Sequence, residues 1–356
     1  MAVGFPAKTN FATGDVLTAT NVNDITGTLN LLESAQYAAG KNKIINGAMN
    51  VWQRGTSINA VSGTYTADRY LTLFGGTGTF TVSQQAFTPG AAPVAGYESS
   101  FFLRQVVNTV GTSTAFQLQN RIEDVRTLAG QTVTFSFWAK GNVASSVNIY
   151  LDQQFGSGGS TNVTSSDQTI AITTSWARYS YTVALGSLTG KTIGTSSFLS
   201  VIMRNLNLGT LTTLDTWGWQ LEAASTASPF QTASGSIGGE LALCQRYYVR
   251  FNASTSGPYA VFAPSGITSS TTQSINYTNL PVELRTYPSS IEYGGTMVVM
   301  TTSTSQTVTS IALQDRSSNK IVSITYTVAS GLTANQFSNV RAENSATAYL
   351  GISAEL

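Results

Sequence analysis

Histidine is absent from the 356 residues, and cysteine occurs once, at Cys244. The first absence removes the commonest general base and the commonest metal ligand together. The second excludes an intrachain disulfide, a cysteine-ligated zinc site and a Cys–His nucleophile. Cys244 itself lies between Leu243 and Gln245 in an apolar run and reads as a small core residue. Charge is scarce as well. Asp, Glu, Lys and Arg supply 10% of the chain, against roughly 25% in ordinary soluble domains. A formal net charge of +1 leaves no electrostatic footprint for nucleic acid. No apolar run approaches the length of a membrane helix, and the opening MAVGFPAKTN lacks the continuous apolar core of a signal peptide. These absences predict no cofactor, no metal site, no nucleic-acid partner and no membrane insertion.

Thr, Ser, Gly and Asn fill the space that charge vacates, and aromatics reach 10%. Short strands and tight turns need that mixture. The length fits two or three domains. In residues 132–139, TVTFSFWA, Val133, Phe135 and Phe137 alternate with Thr134, Ser136 and Trp138, as in a strand with two distinct faces. Further strands are predicted at 146–151, 176–185, 197–203 and 215–221. Many short strands without helices between them predict antiparallel packing, so residues 41–222 read as one β-sandwich. Residues 223–239 are small and polar, with Pro229 and a late Gly-Gly pair, and read as a linker. Beyond it, strands are predicted at 241–251, 274–279, 291–293, 297–302, 308–313, 320–327 and 348–355. Residues 240–356 therefore read as a second, smaller β-sandwich forming a head.

At the other end, residues 1–19 are polar and punctuated by Pro6 and Gly14, as an extended arm or a disordered terminus would be. Residues 20–40 hold the one helix with a clear pattern. Thr20 or Asn21 can cap it and Gly40 follows it. Val22, Ile25, Leu29, Leu32, Gln36 and Ala39 recur at alternating spacings of 3 and 4, an a/d seam. That seam fits either a helix packed on its own domain or a short parallel coiled coil, and so few heptads do not fix an oligomer number.

Two pairs of stretches carry a resemblance. WGWQLEAASTASPFQ followed by ELALCQRYY, and upstream NKIINGAMNVWQRGTS followed by YTADRY, resemble motifs common in bacteriophage tail-fibre and tail-tip proteins. LAGQTVTFSFWAKG and TTSWARYSYTV resemble jelly-roll modules of the carbohydrate-binding type. The resemblance implies a virion fibre that is mainly β: an N-terminal arm and a short trimeric coiled-coil helix, then two antiparallel, jelly-roll-like β-sandwiches. It implies a homotrimer with Val22, Ile25, Leu29 and Leu32 on the trimer seam. The arm would dock on a phage tail or capsid protein, and the distal β domains would contact a bacterial surface glycan or protein.

The candidate sites have competing readings. Glu123 and Asp124 are adjacent, so on a strand they point to opposite faces and cannot flank one glycosidic bond; a solvated acidic turn fits them better. Asp152, Asp167, Asp215 and Glu222 could meet in space, though nothing in their spacing requires it. Arg54, Asp68 and Arg69 lie within the upstream motif; Asp68 could pair with Arg54 and tie the first strand to the next, or hydrogen-bond a sugar. Trp138, Trp176 and Trp217 read as core, whereas Trp52 is a candidate stacking platform. In the head, Tyr259, Phe262, Tyr277, Tyr287 and Tyr293 lie among Ser, Thr, Gly and Pro. They suit a sugar face or a receptor surface, and barrel-core roles suit each of them equally. The leading expectation is a fibre protein without enzymatic activity. A capsule-cutting depolymerase is the rival, since a carboxylate pair suffices for glycoside hydrolysis, and a spacer or capsid decoration without a receptor is a third.

Overall fold

The structure is a computed structural model, and it describes residues 40–94 and 99–356. The arm at 1–19 and the predicted helix with its seam residues Val22, Ile25, Leu29 and Leu32 lie outside the described residues.

The chain is mainly β. Its first half forms two facing sheets whose strands pair antiparallel. The first sheet has the order β1 (Ser57–Asn59), β4 (Thr79–Ala86), β5 (Phe101–Thr109), β13 (Thr213–Glu222), β7 (Thr132–Gly141), β11 (Ala177–Ala184). The second runs β10 (Gln168–Ile172), β8 (Ser145–Gln154), β12 (Phe198–Asn205), β6 (Phe116–Glu123), β3 (Tyr70–Phe74), β2 (Thr64–Tyr65), with β9 (Val163–Thr164) pairing β8. The predicted strands of residues 132–221 all appear. Phe135 and Phe137 of the first sheet and Leu118, Ile149 and Val201 of the second fill the space between the sheets, as strand alternation requires.

One irregularity organises the aromatic core. Trp217 and Trp219 are two residues apart, so a regular strand would send both to one face. A β-bulge between Trp217 and Gln220 separates them instead. It is made by Gly218, whose φ of +67° only glycine adopts readily. Trp219 turns inward onto Tyr70 and Phe135, at ring separations of 5.2 and 5.1 Å. Trp217 turns outward onto Trp138 and Phe230, at 5.2 and 4.7 Å. The outer face of the first sheet is thus covered by the connector that follows β13. Thr134 Oγ1 donates to Ala224 O, and Arg178 donates to Ser228 O, along the same cover. Trp138 and Trp217 are buried as predicted, beneath the connector; Trp176 is half-buried against Phe87 and Phe102.

The second half departs from expectation twice. Residues 241–251 were expected as strand, but α1 (Ile237–Gln245) forms there and is followed by β14 (Tyr248–Asn252). Ser236 caps the helix by accepting from Gly239 N, and Glu240, Leu241, Ala242 and Leu243 are good helix formers. The second departure is the head, which is a closed barrel beside a small sheet and not a sandwich. The barrel order is β15 (Val261–Thr268), β16 (Gln273–Asn279), β20 (Ile321–Val328), β19 (Ser305–Leu313), β18 (Met297–Thr301), β21 (Phe337–Ala342), and β21 pairs back onto β15. Closure removes the free edges that two separate sheets would leave. Beside it, β14, β22 (Tyr349–Ser353) and β17 (Ser290–Gly294) form a three-stranded sheet. Phe262, 2% exposed, packs in the barrel core with Ile324, Tyr326 and Val340.

Candidate functional site

The two motif stretches, 42–70 and 217–248, come together where the sandwich meets the head. Glu240 is buried at the start of α1, and its carboxylate accepts from Asn46 N at 2.8 Å and Ser234 N at 2.6 Å. Gln53 Nε2 donates to Tyr248 O at 2.7 Å. Arg54 stacks its guanidinium 3.5 Å from the centre of the Tyr248 ring, and Arg69 does the same on Tyr247. Arg69, 1% exposed, is ion-paired with Glu355 near the end of the chain. Tyr65 Oη and Arg121 both donate to Leu356 O. Buried cations here are stacked, paired and hydrogen-bonded together, which is what burial of charge demands. The Arg54–Asp68 pair expected from sequence does not form. Arg54 turns to Glu355 and Glu292, at 3.4 and 3.8 Å, while Asp68 accepts from Gln53 N and Nε2 at 3.1 and 2.6 Å. Arg54, Asp68 and Arg69 therefore build a joint between the two halves.

Asp68 makes that joint sensitive to pH. Burial outweighs the Gln53 hydrogen bonds and the attraction of Arg54, and pushes its carboxyl up from 3.8 to about 6. Above pH 6 the carboxylate is charged both folded and unfolded, and the folded chain bears the whole cost of burying it. As pH falls from 6 towards 3.8 the folded form takes up the proton first, so stability rises. The gain is about 1–2 kcal/mol by pH 5. Glu222 works in the opposite sense: its carboxyl burial is outweighed by hydrogen bonds from Ser228 and Gln220 and by Lys41, which hold it below the usual value. Its stabilisation is lost only at lower pH still. The urea midpoint should therefore be higher at pH 5 than at pH 7.5. A lower midpoint at pH 5 would contradict this assignment of Asp68.

The other concentration of polar and aromatic side chains is the outer face of the second sheet. Val147, Ile149 and Leu151 of β8, Leu118 and Ile122 of β6, and Val201 and Met203 of β12 face the core. Their neighbours in sequence must face out. Register sets these in rows across the sheet: Leu71–Gln119–Ile202–Tyr150, flanked by Leu73–Gln117–Arg204–Asn148 on one side and Arg121–Ser200–Asp152 on the other. Ile202, 1% exposed, and Leu71 make an apolar floor. Around it stand half-buried Tyr150, Gln117, Arg204 and Asp152.

These side chains hold one another in place. Arg204 pairs with Asp167 and lies 5.3 Å from the Tyr150 ring. Tyr150 Oη donates to Gln117 Oε1 at 3.4 Å. Thr164 and Gln154 donate to Asp152. Ser200 Oγ and the Nε atoms of Arg121 and Arg204 are buried without a hydrogen-bond partner. An aromatic ring beside fixed amide, carboxylate and guanidinium groups suits a hydroxyl-rich ligand. Of the strands of this face, the sequence showed those at 146–151 and 197–203, which are β8 and β12, but not β6 or β3. It did not show that β6, β12 and β8 lie side by side, which is what assembles the rows.

The remaining sequence candidates do not converge. Tyr259 lies against Arg341, Tyr277 sits half-buried on β16, Tyr287 donates to Gln314 O, and Tyr293 is exposed on β17. Phe262, in the barrel core, has no face to offer a ligand. Trp52 is half-buried with its indole N–H donating to Met49 O. The carboxylates are dispersed as well. Asp215 is bound by Arg104 and Lys140, and Glu222 by Lys41 and Ser228, both on the first sheet. Asp152 and Asp167 belong to the face just described. Glu123 pairs with Arg246 and accepts from Tyr247, and Asp124 pairs with Arg126. Among the described residues no three acidic or cysteine side chains are grouped to hold a metal.

No protein-family model and no curated protein matches the chain. Solved structures similar to part of it include the bacteriophage CBA120 tailspike protein 4 enzymatically active domain, at 13% identity and a TM-score of 0.34. That alignment covers 52% of this chain and 22% of the tailspike chain. Others are a family 11 carbohydrate-binding module from Clostridium thermocellum in complex with a mixed-linked tetrasaccharide, at 10%, 0.31, and 48% and 98% coverage, and a cyclase from Fischerella sp. TAU, at 12%, 0.33, and 53% and 100%. Likeness this slight says nothing of what the chain does.

Proposed function

We propose that the chain is a bacteriophage fibre protein that binds a bacterial surface glycan without cleaving it. The outer face of the second sheet carries this reading: Tyr150 and Arg204 stand over an apolar floor, ringed by Gln117, Asn148 and Asp152. The tail-fibre-like motifs at 42–70 and 217–248 support the virion role, and their residues build the joint that holds the head. Each carboxylate of the face is engaged by a cation, hydroxyl or amide, which favours binding over acid–base chemistry. Three copies on one axis, trimerised through residues 20–40 with the arm on the particle, would raise avidity by roughly 10²–10⁴ where the geometry lets them engage together.

The test is affinity for the host's surface polysaccharide. Removing one stacking ring costs about 1 kcal/mol per site, so Tyr150→Ala should weaken binding about five- to tenfold per site and more in a multivalent complex. Its ring is half-buried on the outer face of the second sheet, apart from the core between the sheets, so folding should be preserved. A Tyr150→Ala, Arg204→Ala double variant that binds polysaccharide as well as the unaltered protein would remove the face from the account.

A further inference from the structure

A groove elsewhere on the molecule has the makings of a second site. Residues 60–63 cross from β1, at the edge of the first sheet, to β2, at the edge of the second. The crossing is fastened to both sheets: Ala60 N donates to Phe80 O and Gly63 N to Thr72 O, each at 2.8 Å. Two cavities lie along this edge, of about 480 and 450 Å³, and both are lined by Asn59 and Val61. Asn59 and Val61 form a wall common to both, so the two are taken together as one groove along this edge. Its far end is floored by Phe74 and Phe80, whose rings are 4.7 Å apart, and edged by Asn108. Its near end enters the joint between Tyr65 and Tyr349.

The chemistry of the lining selects the ligand. The far cavity has no charged residue in its lining. The near cavity has Arg54 and Arg250 against Glu292 and Glu355, a net charge of zero. A polyanion would gain nothing from such a surface. Aromatic rings spaced among amide and hydroxyl groups fit the alternating apolar faces and hydroxyl edges of sugars. Val61, 61% exposed, is the largest apolar side chain left in the open at the middle of the groove, and a bound chain would cover it. The walls are built from paired backbone and from Arg250 stacked 3.6 Å over Tyr349, so little ordering is required on binding. We propose that this groove is a second saccharide site, which takes a run of uncharged glycan chain from Phe74 past Val61 to Tyr349. It rests on the glycan-binding reading and is independent of the sheet face.

Asn59 and Ser62 are exposed, so Asn59→Trp and Ser62→Trp obstruct the groove without disturbing a core. The full chain, each of these variants and Tyr150→Ala would be run by affinity electrophoresis against the host polysaccharide, dextran, mannan, galactan and mixed-linked β-glucan. The expected result is retardation in at least one neutral polymer, weakened about tenfold by either tryptophan, an effect that adds to that of Tyr150→Ala. If both tryptophan variants bind like the unaltered chain while Tyr150→Ala does not, the groove is not a site and the sheet face stands alone. Retardation by none of the five polymers overturns the glycan reading, and the groove falls with it.

Discussion

Arg69→Met should lose about 3–5 kcal/mol, the usual cost of breaking a buried ion pair by removing one partner. Four contacts go with that one side chain: the pair with Glu355, the hydrogen bond to Arg121 O, the stack on Tyr247 and the longer contact with the Tyr65 ring. The core between the sheets and the barrel core are separate clusters, so the variant should keep both halves folded while loosening their attachment. Chemical unfolding should then show a lower first midpoint and a split transition. Glu355→Met added to Arg69→Met should recover only part of the loss, because it removes the carboxylate left without Arg69 but also takes from Arg54 its partner at 3.4 Å. A single variant within about 0.5 kcal/mol of the unaltered protein would mean that the joint is held mainly by the surrounding packing.

Gly218→Ala is the second large effect. The new Cβ would stand 2.6 Å from Trp138 Cε3, and its φ of +67° is unfavourable for alanine. The left-handed backbone costs about 1–2 kcal/mol and the overpacking about 1–3 more, so a loss of about 2–5 kcal/mol is expected. If the strand responds by abandoning the bulge, Trp217 and Trp219 would compete for one face. Near-ultraviolet circular dichroism, which reports fixed tryptophan environments, should therefore change together with the unfolding midpoint. An unchanged spectrum and an unchanged midpoint would show that the bulge is not set by Gly218.

Much of the sandwich was legible because strand alternation is a local signal: 132–139 displayed its two faces directly. The exceptions have local and non-local causes. Trp217 and Trp219 look equivalent at a spacing of two, and only the positive φ of the glycine between them reveals the bulge. Residues 241–251 are apolar and aromatic, which fits a strand until Ser236 is seen capping a helix. Barrel closure depends on β21 pairing with β15 across a separation no periodicity records. Of the site residues, Arg54, Asp68 and Arg69 were noticed through their motif, but their partners Tyr247, Tyr248 and Glu355 are about 180 to 300 positions away. The rows around Tyr150 needed a strand order that the sequence does not spell out. Phe262 shows the converse: a strand aromatic among small polar residues is as readily an inward-facing core residue.

Binding without cleavage is the central claim, and one mixture tests it directly. The protein and the host polysaccharide would be incubated together and passed over a size-exclusion column, with the polymer's length measured before and after. The expected result is co-elution of protein with polymer, polymer of unchanged length, and loss of co-elution for Tyr150→Ala. Polymer that emerges shortened, or that never carries the protein with it, would contradict the account.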